Sequence, residues 1–195
     1  MKHLRILFVA ALMSPMLQAG PMTQKERTHL LAHLEMTETW LADEIKGLSP
    51  AQLAFRAQPD KWSVLDVIEH LTLAEPQYWK QLQDAMRRPA SAENSPATDE
   101  DILWYGIDRS RRAKTGEPRT SKGELKDPAA GLAAFLKLRK ELMEYARTTD
   151  QDLRGHPLEK GAVDCYQWAL MISTHSMRHI LQIREIKAEP GYPGK

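Results

Sequence analysis

The sequence predicts an all-α protein, a four-helix bundle with a long crossover between the second and third helices. Three observations lead to this fold class. Four segments repeat apolar residues at intervals of three and four positions, the period of an amphipathic helix. Each segment is bounded by helix-capping or helix-stopping residues, and no segment alternates polar and apolar residues as a strand does. With 195 residues, 42% of them hydrophobic, the chain can build one compact core.

The first two helices are predicted from their start and stop signals. Helix 1 should begin after Thr23, which has a glutamate three positions later as in a capping box, and end within residues 47–50, which contain glycine and proline. Helix 2 should begin after Ser63 and continue to about Met86. Pro76 lies inside this second pattern and should kink the helix, because proline lacks the backbone N–H that a helix interior requires.

The third and fourth helices follow a long segment of different composition. Residues 88–126 are rich in proline, serine, glycine and charged residues, and they are expected to form the crossover, which either covers a site or is a surface excursion. Helix 3 is predicted to begin at Asp127, which is followed by proline, and to end near Ala146. Helix 4 should extend from about Asp164 to Lys187.

The first nineteen residues have the three parts of a secretory signal peptide. Lys2 and Arg5 supply the charge, residues 6–13 are apolar, and Ala19 is the small residue that ends the cleavage site, residues 17–19. The alternative, a buried first helix or a membrane anchor, is disfavoured because the apolar stretch is too short to span a bilayer. The prediction is therefore that residues 1–19 are removed, that the protein is exported to the periplasm or secreted, and that no stable membrane span remains after processing.

Residues 20–195 are expected to form a single domain, and composition excludes several functions for it. Lys and Arg number 27 and Asp and Glu number 26, so the chain lacks the basic excess typical of nucleic-acid binding. The only cysteine is Cys165, which rules out an intramolecular disulfide and a thiolate metal cluster. We interpret this cysteine as a small buried apolar residue.

The histidines indicate a metal site. His175 and His179 are four residues apart on predicted helix 4, so their rings project from one face, one turn apart, and can bind the same ion. This spacing alone is weak, because it also occurs in core and surface histidines. His70, which lies among apolar residues on predicted helix 2, is the candidate third ligand. The histidines that lack such apolar neighbours are interpreted as surface or loop residues: His29, His33 and His156.

Two motifs add a family resemblance. Residues 62–71 read WSVLDVIEHL and resemble the W-S-x-x-x-x-x-x-H-L signature of the DinB-like superfamily of four-helix bundles. Residues 175–182 read HSMRHILQ and resemble its second signature, H-x-x-x-H-x-x-Q. The resemblance extends over almost the whole mature chain. It implies that His70, His175 and His179 form a metal triad.

The ligand set restricts both the metal and the chemistry. Three protein ligands leave a coordination position for water or a substrate atom, as in catalytic sites. Nitrogen ligands suit zinc, nickel, copper or iron better than calcium or magnesium, and the resemblance makes zinc or nickel the expected cofactor. Ser176 stands where peptidases with an H-E-x-x-H motif have their glutamate, so proteolysis is not expected. Position 176 also points about 100° away from His175 on a helix, so Ser176→Ala is expected to leave the metal content unchanged.

Polar neighbours of the triad have two interpretations. Gln182 lies about two turns from His175 and either orients a ligand or is a polar residue of helix packing. Glu69 and Glu75 are candidates to support the ligating histidines by hydrogen bonds. For both glutamates the sequence favours the alternative, a charge that faces solvent on an amphipathic helix.

The predicted function is that of an exported metal-dependent enzyme, of hydrolase or transferase type, that acts on a small-molecule substrate through the three histidines. Several proteins that this chain resembles are thiol-dependent transferases or isomerases, but their low-molecular-weight thiols are cytosolic, so export argues against that chemistry. Two alternatives stay open. One is a non-catalytic metal-binding or stress-response protein of the cell envelope, and the other is an interaction module that forms a homodimer.

Overall fold

The computed structural model describes residues 20–91, 95–110, 120–158 and 161–194. Apart from one isolated bridge, these ranges contain helices and no β-structure. The six helices are α1 (Gln24–Ile45), α2 (Pro50–Ala54), α3 (Val64–Met86), α4 (Asp99–Ile107), α5 (Pro128–Thr148) and α6 (Cys165–Ala188).

The four long helices α1, α3, α5 and α6 pack together and confirm the predicted four-helix bundle. They correspond in order to the four helices expected from the sequence. The predicted signal peptide, residues 1–19, lies outside the described residues. None of the helices within the described ranges is both long enough and apolar enough to cross a membrane.

The four long helices begin where the sequence signals predict. Thr23, Ser63 and Asp164 each accept a hydrogen bond from the backbone N–H three residues later, and a side chain at that later position bonds back to the cap. Asp127 caps the first turn of α5, with proline at the first helical position. The helix α3 continues through Pro76, and the kink expected there stays a prediction.

Two short helices were not predicted. Ser49, interpreted above as part of a helix stop, also caps α2, and Pro50 occupies its first position. Thr98 caps α4 through a capping box with Asp101, inside the segment that the sequence analysis assigned to the crossover. Acidic residues fill the first turn of α4, where the positive end of the helix dipole favours them. The crossover therefore contains ordered structure.

The first part of the crossover packs against α6 and forms polar contacts with it. The helix α4 packs along α6, and the Arg178 guanidinium of α6 donates hydrogen bonds to the carbonyls of Tyr105 and Asp108 at the end of α4. Beyond α4, Arg109 forms a two-point ion pair with Glu185, with N–O distances of 2.9 Å. The first part of the crossover thus lies against the helix that carries two of the three candidate ligands.

Gly106 sets how closely α4 approaches α6. A Cβ atom added to Gly106 would lie 3.0 Å from Thr174 Cβ and 3.1 Å from the Thr174 carbonyl oxygen. We therefore expect Gly106→Val to lower the free energy of unfolding by about 1–3 kcal/mol through overpacking. Valine has a higher helix propensity than glycine, so a loss can come only from packing.

Urea unfolding measures the effect of Gly106→Val. Trp104→Val is the matched control, because Trp104 is 62% exposed on the same helix, and its expected change is within about 0.5 kcal/mol. Equal stabilities for Gly106→Val and the unmodified protein would mean that α4 does not need this close approach.

The core consists of two apolar clusters with a polar region between them. On α6 the buried residues of the first cluster end at Leu170, and those of the second begin at Ile180. On α3 the second cluster ends at Leu71, and the first resumes at Leu82. Cys165 is fully buried in the first cluster, as predicted. His175, His179 and Glu75 lie between these limits, and His70 lies beside Leu71 at the edge of the second cluster.

Candidate metal centre

The helices α3 and α6 bring the three predicted ligands together. His70 comes from α3, and His175 and His179 come from α6; their exposed fractions are 2%, 4% and 8%. One nitrogen from each ring lies within 4.8 Å of the other two. His70 Nε2 and His175 Nε2 are 3.0 Å apart. This cluster of three converging, buried imidazoles is called the histidine triad below.

The capping residues of α3 and α6 determine where each helix starts, and hence on which side of the helix the three histidines lie. His70 is the seventh residue of α3, and the four-residue spacing of His175 and His179 places both on the side of α6 that faces α3. The ring centroid of His70 lies 5.0 Å from that of His175 and 4.5 Å from that of His179. Two helices are therefore needed to assemble the site.

Gln182 determines how His179 presents its ring. His179 Nδ1 donates a hydrogen bond to Gln182 Oε1 over 2.9 Å. This contact places the ring proton on Nδ1 and leaves the lone pair on Nε2. A polar residue one turn after a histidine thus fixes its tautomer.

The triad favours neutral imidazoles. Burial lowers the pKa of His179 well below its ordinary value, and the nearby His175 and His70 lower it further, since a second positive charge would repel the first. Only the neutral ring has a lone pair to give to a metal. Three imidazole nitrogens that converge in a buried place fit a divalent transition metal such as zinc or nickel.

Aromatic rings flank the triad. The Trp62 ring is stacked with that of His179 at 6.1 Å and lies 5.1 Å from that of His70. Tyr78 meets His175 edge-on at 5.1 Å and packs against Trp168. Apolar ring faces on these sides keep water from the imidazole edges and lower the local polarity.

Glu75 corrects one expectation from the sequence. The favoured interpretation was a solvent-facing charge, but its side chain is 1% exposed. Arg139 of α5, also fully buried, places Nη2 3.1 Å from Glu75 Oε2. Ser176 donates a hydrogen bond to Glu75 Oε1 and accepts one of 2.6 Å from Arg139 Nη2. Burial raises the pKa of the Glu75 carboxyl, while Arg139 and Ser176 act in the opposite direction.

The buried position of Ser176 also changes the expectation for its alanine variant. The serine does point away from the triad nitrogens, but it holds Glu75, whose Oε1 is 3.9 Å from His175 Nδ1. Replacing Ser176 with alanine therefore removes a hydrogen bond to Glu75, the carboxylate that lies next to His175.

Glu69 holds the end of the crossover. The favoured interpretation as a solvent-facing charge was wrong for Glu69 too, because this residue is buried. Its carboxylate accepts hydrogen bonds from the Ser121 hydroxyl and from the backbone N–H groups of Lys122, Glu124 and Leu125. These donors hold the pKa of Glu69 below its usual value against the effect of burial, which raises it. All of the described hydrogen bonds of this carboxylate go to the loop before α5, so its role here is to order that loop.

The other histidines lie apart from the triad. His29 is exposed on α1, as predicted, and His156 lies half-buried in the loop before α6. The interpretation of His33 as a surface or loop residue was wrong, because it is half-buried on α1 with Nδ1 2.7 Å from Ser173 Oγ. The serine completes a polar contact between α1 and α6 with Thr37, whose Oγ1 is 2.9 Å away.

Two imidazoles make the stability of the metal-free protein depend on pH. Burial lowers the pKa of His33, with a further contribution from Arg139, and the pKa of His179 is also lowered. Below the unfolded value of about 6.5 the unfolded chain then binds more protons than the folded one. The free energy of unfolding should have its full value above about pH 6.5. It should fall as the pH decreases toward the lowered pKa values that His33 and His179 have in the folded protein.

Urea unfolding of the metal-free protein across about pH 7.5 to 5.5 checks this dependence. The variant His33→Gln keeps a hydrogen-bonding side chain toward Ser173 but removes one titrating group. Its free energy of unfolding should depend less steeply on pH. The same slope in both proteins would contradict the contribution assigned to His33.

Comparisons with known proteins agree with this architecture. The uncharacterized protein YuaE of Bacillus subtilis (strain 168) is 25% identical over 161 residues, which cover 77% of this chain and 91% of YuaE. The solved structure of YfiT from Bacillus subtilis, described as "a probable metal-dependent hydrolase with an unusual four-helix bundle topology", covers 86% of this chain and 89% of its own. Its TM-score is 0.59 and its identity 17%, so this similarity shows the fold alone.

The family is shown by a separate comparison. A family model described as the DinB superfamily matches residues 31–183, a range that contains the histidine triad and all four long helices in whole or in part. The match covers well over half of the chain and confirms the resemblance noted in the two sequence motifs. The chain belongs to the DinB superfamily.

Proposed function

We propose that this protein is a metal-dependent enzyme of hydrolase type that acts on a small molecule at the histidine triad. The observation that carries the proposal is the convergence of three buried imidazole nitrogens within 4.8 Å, supplied by two helices. A divalent cation would give the three converging nitrogens one common partner. The description of YfiT, which has the same fold, as "a probable metal-dependent hydrolase" supports the same class of function.

The donor set favours zinc or nickel and leaves room for chemistry. His70, His175 and His179 would hold the ion, and three protein ligands leave at least one coordination position for a reactant. When bound, such an ion supplies Lewis-acid chemistry: it polarises a carbonyl or phosphoryl oxygen, or lowers the pKa of a nucleophile.

The residues around the triad prepare it for this role. Gln182 keeps the His179 proton on Nδ1, and the rings of Trp62 and Tyr78 cover the sides of the imidazoles. Glu75 approaches His175 from its Nδ1 side, whereas His175 Nε2 faces His70 Nε2. Its carboxylate is therefore not placed as a base among the converging nitrogens, which agrees with the absence of a peptidase motif.

Metal analysis followed by turnover assays tests the proposal. The purified protein should contain about one equivalent of a transition metal per chain. Ester, amide and phosphoester substrates should then be screened with the zinc-loaded and nickel-loaded protein, with a chelator and with His175→Ala as controls. Turnover that requires the metal supports a hydrolase. A full equivalent of metal with no exchangeable ligand and no turnover would support the non-catalytic alternative instead.

Export is part of the proposal. It is supported by the charged start, the apolar stretch and the small residue Ala19 before Gly20 in the sequence. Mass spectrometry of the protein from its native host should find a chain that begins at Gly20. Retention of Met1 on most molecules would contradict export by this signal.

A further inference from the structure

A buried carboxylate lies behind one ligand of the histidine triad. Glu75 enters the polar region of the core from α3, and its Oε1 is 3.9 Å from His175 Nδ1. His175 Nε2, the other ring nitrogen, faces His70 Nε2 at 3.0 Å. The carboxylate is thus on the side of the imidazole that points away from the converging nitrogens.

Residues from two other helices hold this carboxylate in place. Arg139 of α5 contacts both oxygens of Glu75 through Nη2, at 3.4 and 3.1 Å, and Ser176 of α6 donates a hydrogen bond to Oε1. Arg139 is 0% exposed and also lies over the Phe135 ring, 4.7 Å from its centroid. With both residues embedded in the core, the Glu75 carboxylate is confined to one position.

Stability alone is a poor explanation for this arrangement. Buried ion pairs are often no more stabilising than apolar residues of the same volume, because desolvating two charges costs more than their attraction returns. In metal sites, by contrast, a carboxylate behind a ligating histidine fixes its tautomer and makes its other nitrogen a better ligand. Glu75 lies on the Nδ1 side of His175, as such a carboxylate does, and its contact of 3.9 Å is an electrostatic one, longer than a hydrogen bond.

We propose that Glu75 is the positioning residue of His175 and that Arg139 and Ser176 exist to hold its carboxylate there. The carboxylate orients the His175 ring and favours the proton on Nδ1, so that Nε2 is available to the metal. Gln182 has the corresponding place behind His179, with a neutral amide in place of a charge. Ser176, in the position where zinc peptidases have a glutamate, supports a carboxylate that comes from the neighbouring helix. This inference rests on the proposed metal site.

Zinc affinity, measured on the full chain by competition with a chromophoric chelator, tests the role of Glu75. We expect Glu75→Gln to weaken zinc binding by about 10- to 100-fold. Glu38→Gln is the matched control, because Glu38 of α1 also interacts with Arg139 but has no described contact with the triad. Its zinc affinity should equal that of the unmodified protein. Equal affinities for all three proteins would overturn the inference.

A double variant separates positioning from charge compensation. Glu75→Gln alone leaves Arg139 without its ion pair, whereas Glu75→Gln with Arg139→Met removes both buried charges. If the double variant is folded by circular dichroism and still binds zinc as weakly as Glu75→Gln, the carboxylate acts on the site. If it binds zinc as tightly as the unmodified protein, Glu75 serves only to compensate Arg139 and the inference fails.

The unmodified protein gives an independent readout if a variant does not fold. In the zinc-loaded protein the ring N–H proton of His175 should resonate downfield of that of His179, because on this proposal it faces a carboxylate and not an amide. A His175 proton at or upfield of the His179 position would overturn the inference. Failure of the unmodified chain to bind zinc would instead defeat the proposed function, and with it the premise of this role.

Discussion

Replacing any one of His70, His175 and His179 with alanine will lower zinc affinity by orders of magnitude. The reason is geometric, since two ligands one turn apart on α6 fix only one edge of the coordination sphere and α3 must supply the third corner. The fold should survive the loss of metal, because neither apolar cluster includes any of the three histidines. Zinc affinity should also decline at pH values well below 6.5, because protons compete for the His179 imidazole only near its lowered pKa.

Metal content per chain at neutral and mildly acidic pH, with circular dichroism as the folding control, measures this result. His29→Ala and His156→Ala should keep a full equivalent of metal. His33→Ala should also keep it, but with a lower free energy of unfolding, because the variant loses the contact with Ser173. A His70→Ala protein that folds and retains a full equivalent would mean that the ligand set has been assigned incorrectly.

Replacing Arg139 with methionine is expected to lower the free energy of unfolding by about 3–5 kcal/mol. The guanidinium and the Glu75 carboxylate are both within the core, and removal of one partner leaves the other without a counter-charge. Urea unfolding of the metal-free protein measures the effect without a contribution from bound zinc.

Arg147→Met is the matched control for Arg139→Met. Arg147 is on the same helix and forms an ion pair with Glu35, but both side chains are about half exposed, so the expected loss is below about 1 kcal/mol. Adding Glu75→Gln to Arg139→Met should recover much of the stability, because no uncompensated charge remains. Similar losses for Arg139→Met and Arg147→Met would show that the buried pair contributes no more than a surface one.

The parts of the fold that the sequence predicted correctly are those encoded locally. The starts of α1, α3, α5 and α6 each depend on a capping residue and its neighbours within one turn, so a single stretch of sequence contains the whole signal. Ser49 was harder to interpret, because the same Ser-Pro pair ends one helix segment and starts another. Thr98 and Asp101 carried the signal for α4, but the polar composition around them obscured it.

The candidate site also has a part that local sequence predicts and a part that only the packing of distant segments creates. His175 and His179 are grouped by their spacing on one helix, and the apolar neighbours of His70 indicate that it faces the core. Nothing local distinguishes Glu75 from a surface glutamate, because its partner Arg139 is 64 residues away and is brought to it only by the packing of α5 on α3. The contact of His33 with Ser173 likewise joins residues 140 positions apart. Long-range polar pairs leave no periodic pattern in the sequence.

The reactivity of the buried Cys165 thiol can be used to measure how often one end of α6 opens. It is the first residue of α6, and burial, with a contribution from Asp164, raises its pKa to about 12. Because thiolates and not thiols react with alkylating reagents, modification near neutral pH must wait until this end of α6 detaches from the core. The modification rate therefore reports the opening of α6 in native conditions, and a slower rate with zinc would measure how firmly a metal near the middle of the helix holds its distant end.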